Sequence, residues 1–146
     1  MKDTQKSKWR VFWDENWLTI VVVLVLAGAY VFLRTPGDTF ASVAEVEALL
    51  TDGQPTVVEF YSNSCSICLV SKPKVDRLEA DLTGQADLLR LNVKADVGRR
   101  LASSWGVRGV PMFFVFDGAG DVIYAQAGAP DIEALHVAVS TAAEKD

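Results

Sequence analysis

Cysteine and histidine are scarce in this chain, which has two cysteines and one histidine among 146 residues. A zinc ion in a protein normally takes four ligands, and His136 lies far downstream of the cysteines in a predicted helix, so we predict no metal site. A structural disulfide between Cys65 and Cys68 would enclose only two residues and restrict the unfolded chain little. A redox-active pair is therefore the favoured interpretation of the two cysteines.

Basic residues are also few outside the N-terminal region. Residues 35–146 contain nine Lys and Arg against sixteen Asp and Glu, a formal net charge of −7. An acidic surface disfavours nucleic acid and anionic lipid as partners of this part of the chain.

The two cysteines form the motif Cys65-Ser66-Ile67-Cys68, which follows a run of β-forming residues, Thr56–Tyr61. A helix is predicted to begin at the motif, and the positive end of its dipole favours the thiolate over the thiol. A CxxC motif in this context indicates redox chemistry. We predict that a reversible Cys65–Cys68 disulfide is the redox group and that no separate cofactor is needed.

One long apolar run, Trp17–Leu33, is interrupted by few polar residues and reaches the short end of the length that spans a bilayer. Four basic residues precede the run and only Arg34 follows it before Lys72. This asymmetry predicts a single-pass protein of the cell membrane, with its N-terminus in the cytoplasm and the rest of the chain outside, in the periplasm or its equivalent. The basic residues are Lys2, Lys6, Lys8 and Arg10.

A cleavable signal peptide is the competing interpretation, because Ala27-Gly28-Ala29 resembles a cleavage site. The apolar run continues beyond this site, and Trp9 and Trp13 add aromatic residues to the basic region, as in an interfacial anchor. We favour an uncleaved signal anchor. Both interpretations export the remainder of the chain.

The exported part predicts alternating helices and strands in the order α-β-α-β-α-β-β-α, an α/β fold with a mixed sheet. Ser42 is the predicted N-cap of the first helix and Pro73 lies inside the second. The later elements are expected at 56–61, 65–82, 88–93, 97–105, 112–116, 122–125 and 131–144.

Residues 40–144 resemble the thioredoxin family, specifically its membrane-anchored extracytoplasmic members. The CxxC motif follows the central strand, Pro73 lies five residues after Cys68, and Gly109-Val110-Pro111 resembles the segment that holds the family's cis-proline. The resemblance implies a thioredoxin fold, a central mixed β-sheet flanked by helices, here preceded by one transmembrane helix. The expected parts are a cytoplasmic basic and aromatic segment (1–16), a transmembrane anchor (17–33), a linker (34–39) and a thioredoxin-like domain (40–146).

The resemblance also implies catalytic roles. Cys65 is the exposed nucleophile and Cys68 the more buried resolving thiol. Glu59 stands where the family carries a buried acid, and burial in an apolar strand should raise its pKa and let it exchange a proton with Cys68. An exposed carboxylate at a sheet edge is the alternative for Glu59.

Substrate contacts are expected from Val110, Pro111, Ile67 and Tyr61. By analogy Pro111 is cis and leaves the Val110 backbone free to pair with an extended peptide. Ser64, Ser66-Ile67 and Met112 depart from the family pattern, and an apolar docking face with Ile67 suits a specific protein partner.

The favoured function is a membrane-tethered protein-disulfide oxidoreductase that reduces disulfides of exported proteins. Its implied partners are those proteins and a membrane thiol-electron transporter as donor. Oxidation or isomerisation differs only in reduction potential. The alternative is a non-catalytic single-span accessory or assembly subunit of a membrane complex that uses the thioredoxin fold as a binding module.

Overall fold

The computed structural model describes residues 3–145, with the backbone alone for residues 3–12 and 14. The chain divides into two compact units, Met1–Arg34 and Thr35–Asp146. Lys2 of the predicted basic segment and the side chain of Trp9 lie outside the described part.

Within its described residues the first unit forms one helix, α1 (Asp3–Leu33). Its stretch Glu15–Leu33 has a mean hydropathy of 2.2 and is long and apolar enough to cross a membrane. Trp13 and Trp17 are exposed on this helix, as are most of the aliphatic side chains that follow them. Length and composition therefore make α1 a candidate membrane span.

The second unit contains four strands and four helices within its described residues. The strands form one mixed sheet in the order β2-β1-β3-β4, in which β1 pairs parallel with β2 and antiparallel with β3. The predicted fold class is confirmed. The elements are α2 (Val43–Leu49), β1 (Thr56–Tyr61), α3 (Ser66–Leu82), β2 (Asp87–Asn92), α4 (Asp96–Ser104), β3 (Met112–Phe116), β4 (Val122–Ala127) and α5 (Ile132–Ala143).

Helix starts follow the capping residues. The Ser42 hydroxyl accepts from the Glu45 amide at the start of α2, and the Glu45 carboxylate accepts from the amide of Ala41, 2.7 Å away. Cys65 is the N-cap of α3, so its sulfur faces the free amides of the first turn. Pro73 lies inside α3 as expected.

Two strands differ from their predicted bounds because of main-chain pairing: β2 is displaced by one residue and β4 is longer. The amide of Asp87 donates to the carbonyl of Pro55, and β2 begins one residue early. In β4, Ala127 pairs with Met112, so the strand continues two residues past Ala125.

Apolar clusters cover both faces of the sheet. One joins α3 and α5 to the sheet around Val57, Leu78 and Phe113. The other joins α2 and α4 around Phe60 and Leu101. The sheet is thereby held rigidly behind the CxxC motif at the end of β1.

Within the predicted linker, residues 34–39, Thr35 and Asp38 form hydrogen bonds with other residues of the second unit. Thr35 is buried, and its carbonyl accepts from the Tyr61 hydroxyl and the Asn63 amide group. The amide of Asp38 donates to the carbonyl of Arg90, and its carboxylate accepts from the Arg90 amide. Local sequence patterns do not predict these bonds, because the bonds join residues 26 to 52 positions apart.

Candidate active site

The two cysteines are free thiols at the start of α3. The Cys65 sulfur accepts from the amide of Cys68 at 3.3 Å, while its own amide donates to the carbonyl of Ser62. Cys65 is half-buried, and Cys68 is only 3 % exposed. An incoming disulfide therefore meets Cys65 first.

The Val110–Pro111 segment lies against Cys65. The peptide bond between the two residues is cis, as the resemblance implies. The Cys65 thiol donates to the Val110 carbonyl at 3.4 Å. Ile67 is 50 % exposed on the first turn of α3 and Val110 is half-buried, whereas Pro111 is buried. Cys65, Ile67 and Val110 thus reach the surface together, as a substrate-contacting group requires.

The structure does not support a substrate contact for Tyr61. Its side chain is 1 % exposed and its hydroxyl donates to the Thr35 carbonyl. Gly37 has a φ of +67°, and a Cβ there would overlap the Tyr61 hydroxyl. Tyr61 therefore anchors residues 35–38 to the domain through its hydrogen bond with Thr35 and its close approach to Gly37.

Glu59 is buried in β1, 3 % exposed, which excludes the exposed-edge alternative. Burial raises its pKa to about 7, and the nearby guanidinium of Arg90 limits the rise. Burial, a hydrogen bond with Cys65 and the charge of Glu59 raise the pKa of Cys68 to about 12. Glu59 is therefore close enough to act electrostatically on the thiol that must lose a proton, and its own pKa suits proton exchange near neutral pH.

Arg90 is the residue that the sequence reasoning missed. It is the register partner of Glu59 in the parallel pairing of β1 with β2, and it is 6 % exposed. Its guanidinium binds Asp76 at 2.7 Å and Glu79 at 2.6 Å, and its Nε lies 3.8 Å from a Glu59 oxygen. The sequence did contain a signal for this pair, because Arg90 is a single basic residue in one predicted apolar strand and Glu59 a single acid in another.

The Nε atom of Arg90 is buried without a hydrogen-bond partner among the described residues. A donor of this kind is costly to leave unpaired, and an oxygen of the Glu59 carboxylate lies 3.8 Å from it. Arg90 is thus a positioning residue that sets how readily Glu59 ionises.

We expect Arg90→Gln to shift the pH dependence of disulfide turnover upward, because Glu59 loses its closest positive charge. The free energy of unfolding should fall by about 1–3 kcal/mol, because the contacts of Arg90 with Asp76 and Glu79 are lost. The loss is limited to this range because both carboxylates are half exposed and remain hydrated. The measurements are a pH–rate profile and urea unfolding, with Arg90→Lys as the charge-conserving control. An unchanged pH profile in Arg90→Gln would contradict the assigned role.

Lys94 forms a polar cluster with Ser62 and Ser64, which precede the nucleophile in the chain. The Lys94 ammonium donates to the Ser64 hydroxyl, whose oxygen lies 3.0 Å from that of Ser62. Ser64 occupies the position where the family commonly has tryptophan. The polar contact with Lys94 takes the place of an aromatic surface next to Cys65.

No group of three or more His, Cys, Asp or Glu residues is arranged to hold a metal ion in the part of the chain that the structure describes.

Comparison with known proteins gives a consistent set of similarities. The thioredoxin family model matches residues 39–141. The chain is 30 % identical over 109 residues to the thioredoxin-like protein HCF164, chloroplastic, of Arabidopsis thaliana, covering 70 % of this chain and 42 % of that protein. It is 25 % identical over 124 residues to the thiol:disulfide interchange protein TxlA homolog of Synechocystis sp., covering 81 % and 69 %.

Among solved structures, mitochondrial thioredoxin 3 of Saccharomyces cerevisiae in its oxidized form superposes with a TM-score of 0.61 at 19 % identity. The superposition covers 77 % of this chain and 98 % of the yeast chain, which shows the shared fold. The chain spans less than half the length of the chloroplast relatives from Arabidopsis thaliana and Oryza sativa.

Proposed function

The chain belongs to the thioredoxin family, and from that premise we propose that it is a membrane-tethered thiol–disulfide oxidoreductase that reduces disulfides of exported proteins. The observation that carries the proposal is the position of the Cys65 sulfur. It lies at the N-cap of α3, accepts from the Cys68 amide at 3.3 Å, and is 3.4 Å from the Val110 carbonyl. A surface sulfur held by a helix terminus, beside a main chain that can pair with a peptide, suits attack on a protein disulfide.

The reaction transfers two electrons from the protein to its substrate. The Cys65 thiolate attacks one sulfur of the substrate disulfide, the substrate S–S bond breaks, and the departing thiolate takes up a proton. Cys68 then attacks the Cys65 sulfur of the mixed disulfide. The second substrate thiolate leaves, and the protein retains the Cys65–Cys68 disulfide.

The second step needs a deprotonated Cys68, whose pKa is raised to about 12. Glu59 is buried near Cys68 and has a pKa of about 7, so its carboxylate is available to accept that proton near neutral pH. Proton transfer from Cys68 to Glu59 therefore accompanies release of the substrate.

Continued turnover requires two electrons from outside the protein. We propose a membrane dithiol carrier as the donor, because α1 is a candidate membrane span and a reductant acting outside the cytoplasm must draw electrons across the membrane. Exchange between the carrier dithiol and the Cys65–Cys68 disulfide restores the reduced protein.

The proposed chemistry is tested with the full chain in neutral detergent and insulin as the disulfide substrate. Dithiothreitol supplies the electrons, and the rate of insulin reduction is followed by the turbidity of the released chains. We expect clear acceleration by the wild-type protein and none by Cys65→Ser. Equal rates for both proteins would contradict the proposal.

The proposed topology predicts the accessibility of Cys65. Intact cells treated with a reductant and then with a membrane-impermeant thiol reagent should show labelled Cys65, because the N-terminal basic residues keep that end inside. Cys65→Ser is the control for labelling at Cys68. Labelling only after lysis would place the domain in the cytoplasm.

A further inference from the structure

We infer that Lys94, Arg99 and Arg108, which we call the basic rim, form a docking surface for an acidic segment next to the disulfide of the substrate protein. The inference rests on the proposed function and adds to it the chemical class of the substrate.

The basic rim begins beside the nucleophile. Lys94 is exposed, and its ammonium donates to the hydroxyl of Ser64, the residue directly before Cys65. The Ser64 oxygen is in turn 3.0 Å from the Ser62 hydroxyl. These contacts place the ammonium of Lys94 beside the residue that directly precedes the nucleophile.

A surface cavity of about 380 Å³ continues the rim on the side of the cis-proline loop. Its lining includes Arg99, Arg108 and three valines, Val93, Val107 and Val110. Val110 lines this cavity and also accepts from the Cys65 thiol at 3.4 Å, so it links the cavity to the nucleophile. A peptide paired with Val110 would place neighbouring residues over this apolar floor and its two arginines.

The charge of the rim is opposite to that of the domain around it. Residues 92–111 contain four basic residues and one acidic residue, whereas residues 35–146 carry a net charge of −7. Among the residues that the structure describes, Lys94 and Arg108 form no ion pair. Arg99 and Arg100 bind the same carboxylate, that of Asp96, at 2.7 and 2.8 Å.

In the described part of the chain, Lys94 and Arg108 carry unpaired positive charge, and Arg99 shares one carboxylate with Arg100. This surplus of positive charge favours association with acidic partners and disfavours basic ones. Because the rest of the domain repels acidic proteins, the rim also orients an acidic partner with its charged segment toward Cys65. Charge complementarity therefore selects an acidic segment as the occupant.

The test uses the reduced full chain in neutral detergent and three cyclic disulfide peptides that differ only in their flanking residues, Glu, Gln or Lys. We expect kcat/KM to be greatest for the Glu peptide and smallest for the Lys peptide at low salt, with the three values converging at high salt. Lys94→Gln and Arg108→Gln should each lower kcat/KM for the Glu peptide by about two- to five-fold, the effect of one exposed ion pair.

Lys145→Gln is the matched control, because it removes one exposed positive charge and its partner Asp117 follows the end of β3 opposite Pro111. It should leave the preference for the Glu peptide unchanged. Hydroxyethyl disulfide, which is small and neutral, reports the chemistry without docking. Equal rates on the three peptides, with hydroxyethyl disulfide still reduced, would contradict the docking role of the basic rim and leave the proposed function intact. No reduction of any substrate would overturn both.

Discussion

Replacing Cys68 with serine should convert the protein into a trap for its substrates. Cys65 is the sulfur that faces solvent, while Cys68 is 3 % exposed, so the first attack still occurs in Cys68→Ser. The mixed disulfide then has no internal thiol to resolve it and accumulates. We expect covalent adducts with exported proteins to appear on non-reducing gels and to disappear with reductant.

Cys65→Ser is the matched control for the trap. It keeps one thiol, but that thiol is buried and burial raises its pKa, so adducts should be absent and turnover lost. Adducts in Cys65→Ser and none in Cys68→Ser would reverse the roles of the two cysteines. The double variant, with serine in place of both Cys65 and Cys68, tests the accessory-subunit alternative, in which a stable complex would survive loss of both thiols.

Glu59→Gln is expected to change stability and rate in opposite directions. The folded pKa of Glu59 is about 7, against an ordinary value of 4.5. The folded protein therefore binds this proton more tightly than the unfolded chain. The associated stabilisation is complete below about pH 4.5 and is lost as pH rises through 7.

At pH 8 the ionised Glu59 carboxylate is buried at a cost, which the neutral Gln side chain does not incur. We expect Glu59→Gln to be more stable than wild type by up to about 3 kcal/mol at pH 8 and to lose this part of the pH dependence. Urea unfolding at pH 5 and pH 8 measures the difference. A variant that is markedly less stable at pH 8 would show that Glu59 is a structural partner of Arg90.

The same substitution removes the proton acceptor for Cys68. General acid–base assistance contributes about 10²–10⁴-fold at most, and an indirect contact belongs at the low end of that range. We expect slower release of the mixed disulfide in Glu59→Gln, with the first attack by Cys65 unaffected. Stopped-flow kinetics at pH 7 separate the two steps, and full activity would contradict the assigned proton transfer.

Local signals explain why much of the fold could be predicted from the sequence. The apolar run of β1 and the capping pattern at Ser42 depend on neighbouring residues, and both strand and helix form where they were expected. The place of Cys65 at the start of α3 follows from the same kind of short-range pattern. The bond between Val110 and Pro111 was expected to be cis only through the family resemblance, since the residues themselves do not specify it.

Contacts between distant residues account for what the sequence did not reveal. Arg90 reaches Glu59 because β1 and β2 pair in parallel with one particular register. Tyr61 is buried because residues 35–38 fold back over it. Lys94 donates a hydrogen bond to Ser64, which lies 30 positions earlier in the sequence. Such pairings depend on the assembled sheet.

The reduction potential of the Cys65–Cys68 couple tests the central claim most directly. The full chain in neutral detergent is equilibrated with dithiothreitol redox buffers, and the thiol content is measured at each potential. We expect a two-electron transition near that of thioredoxin, about −270 mV, because no histidine lies between the cysteines to stabilise the thiolate. A potential near about −120 mV, as in a strong oxidase, would contradict the reducing role, and the absence of a two-electron transition would contradict the dithiol chemistry itself.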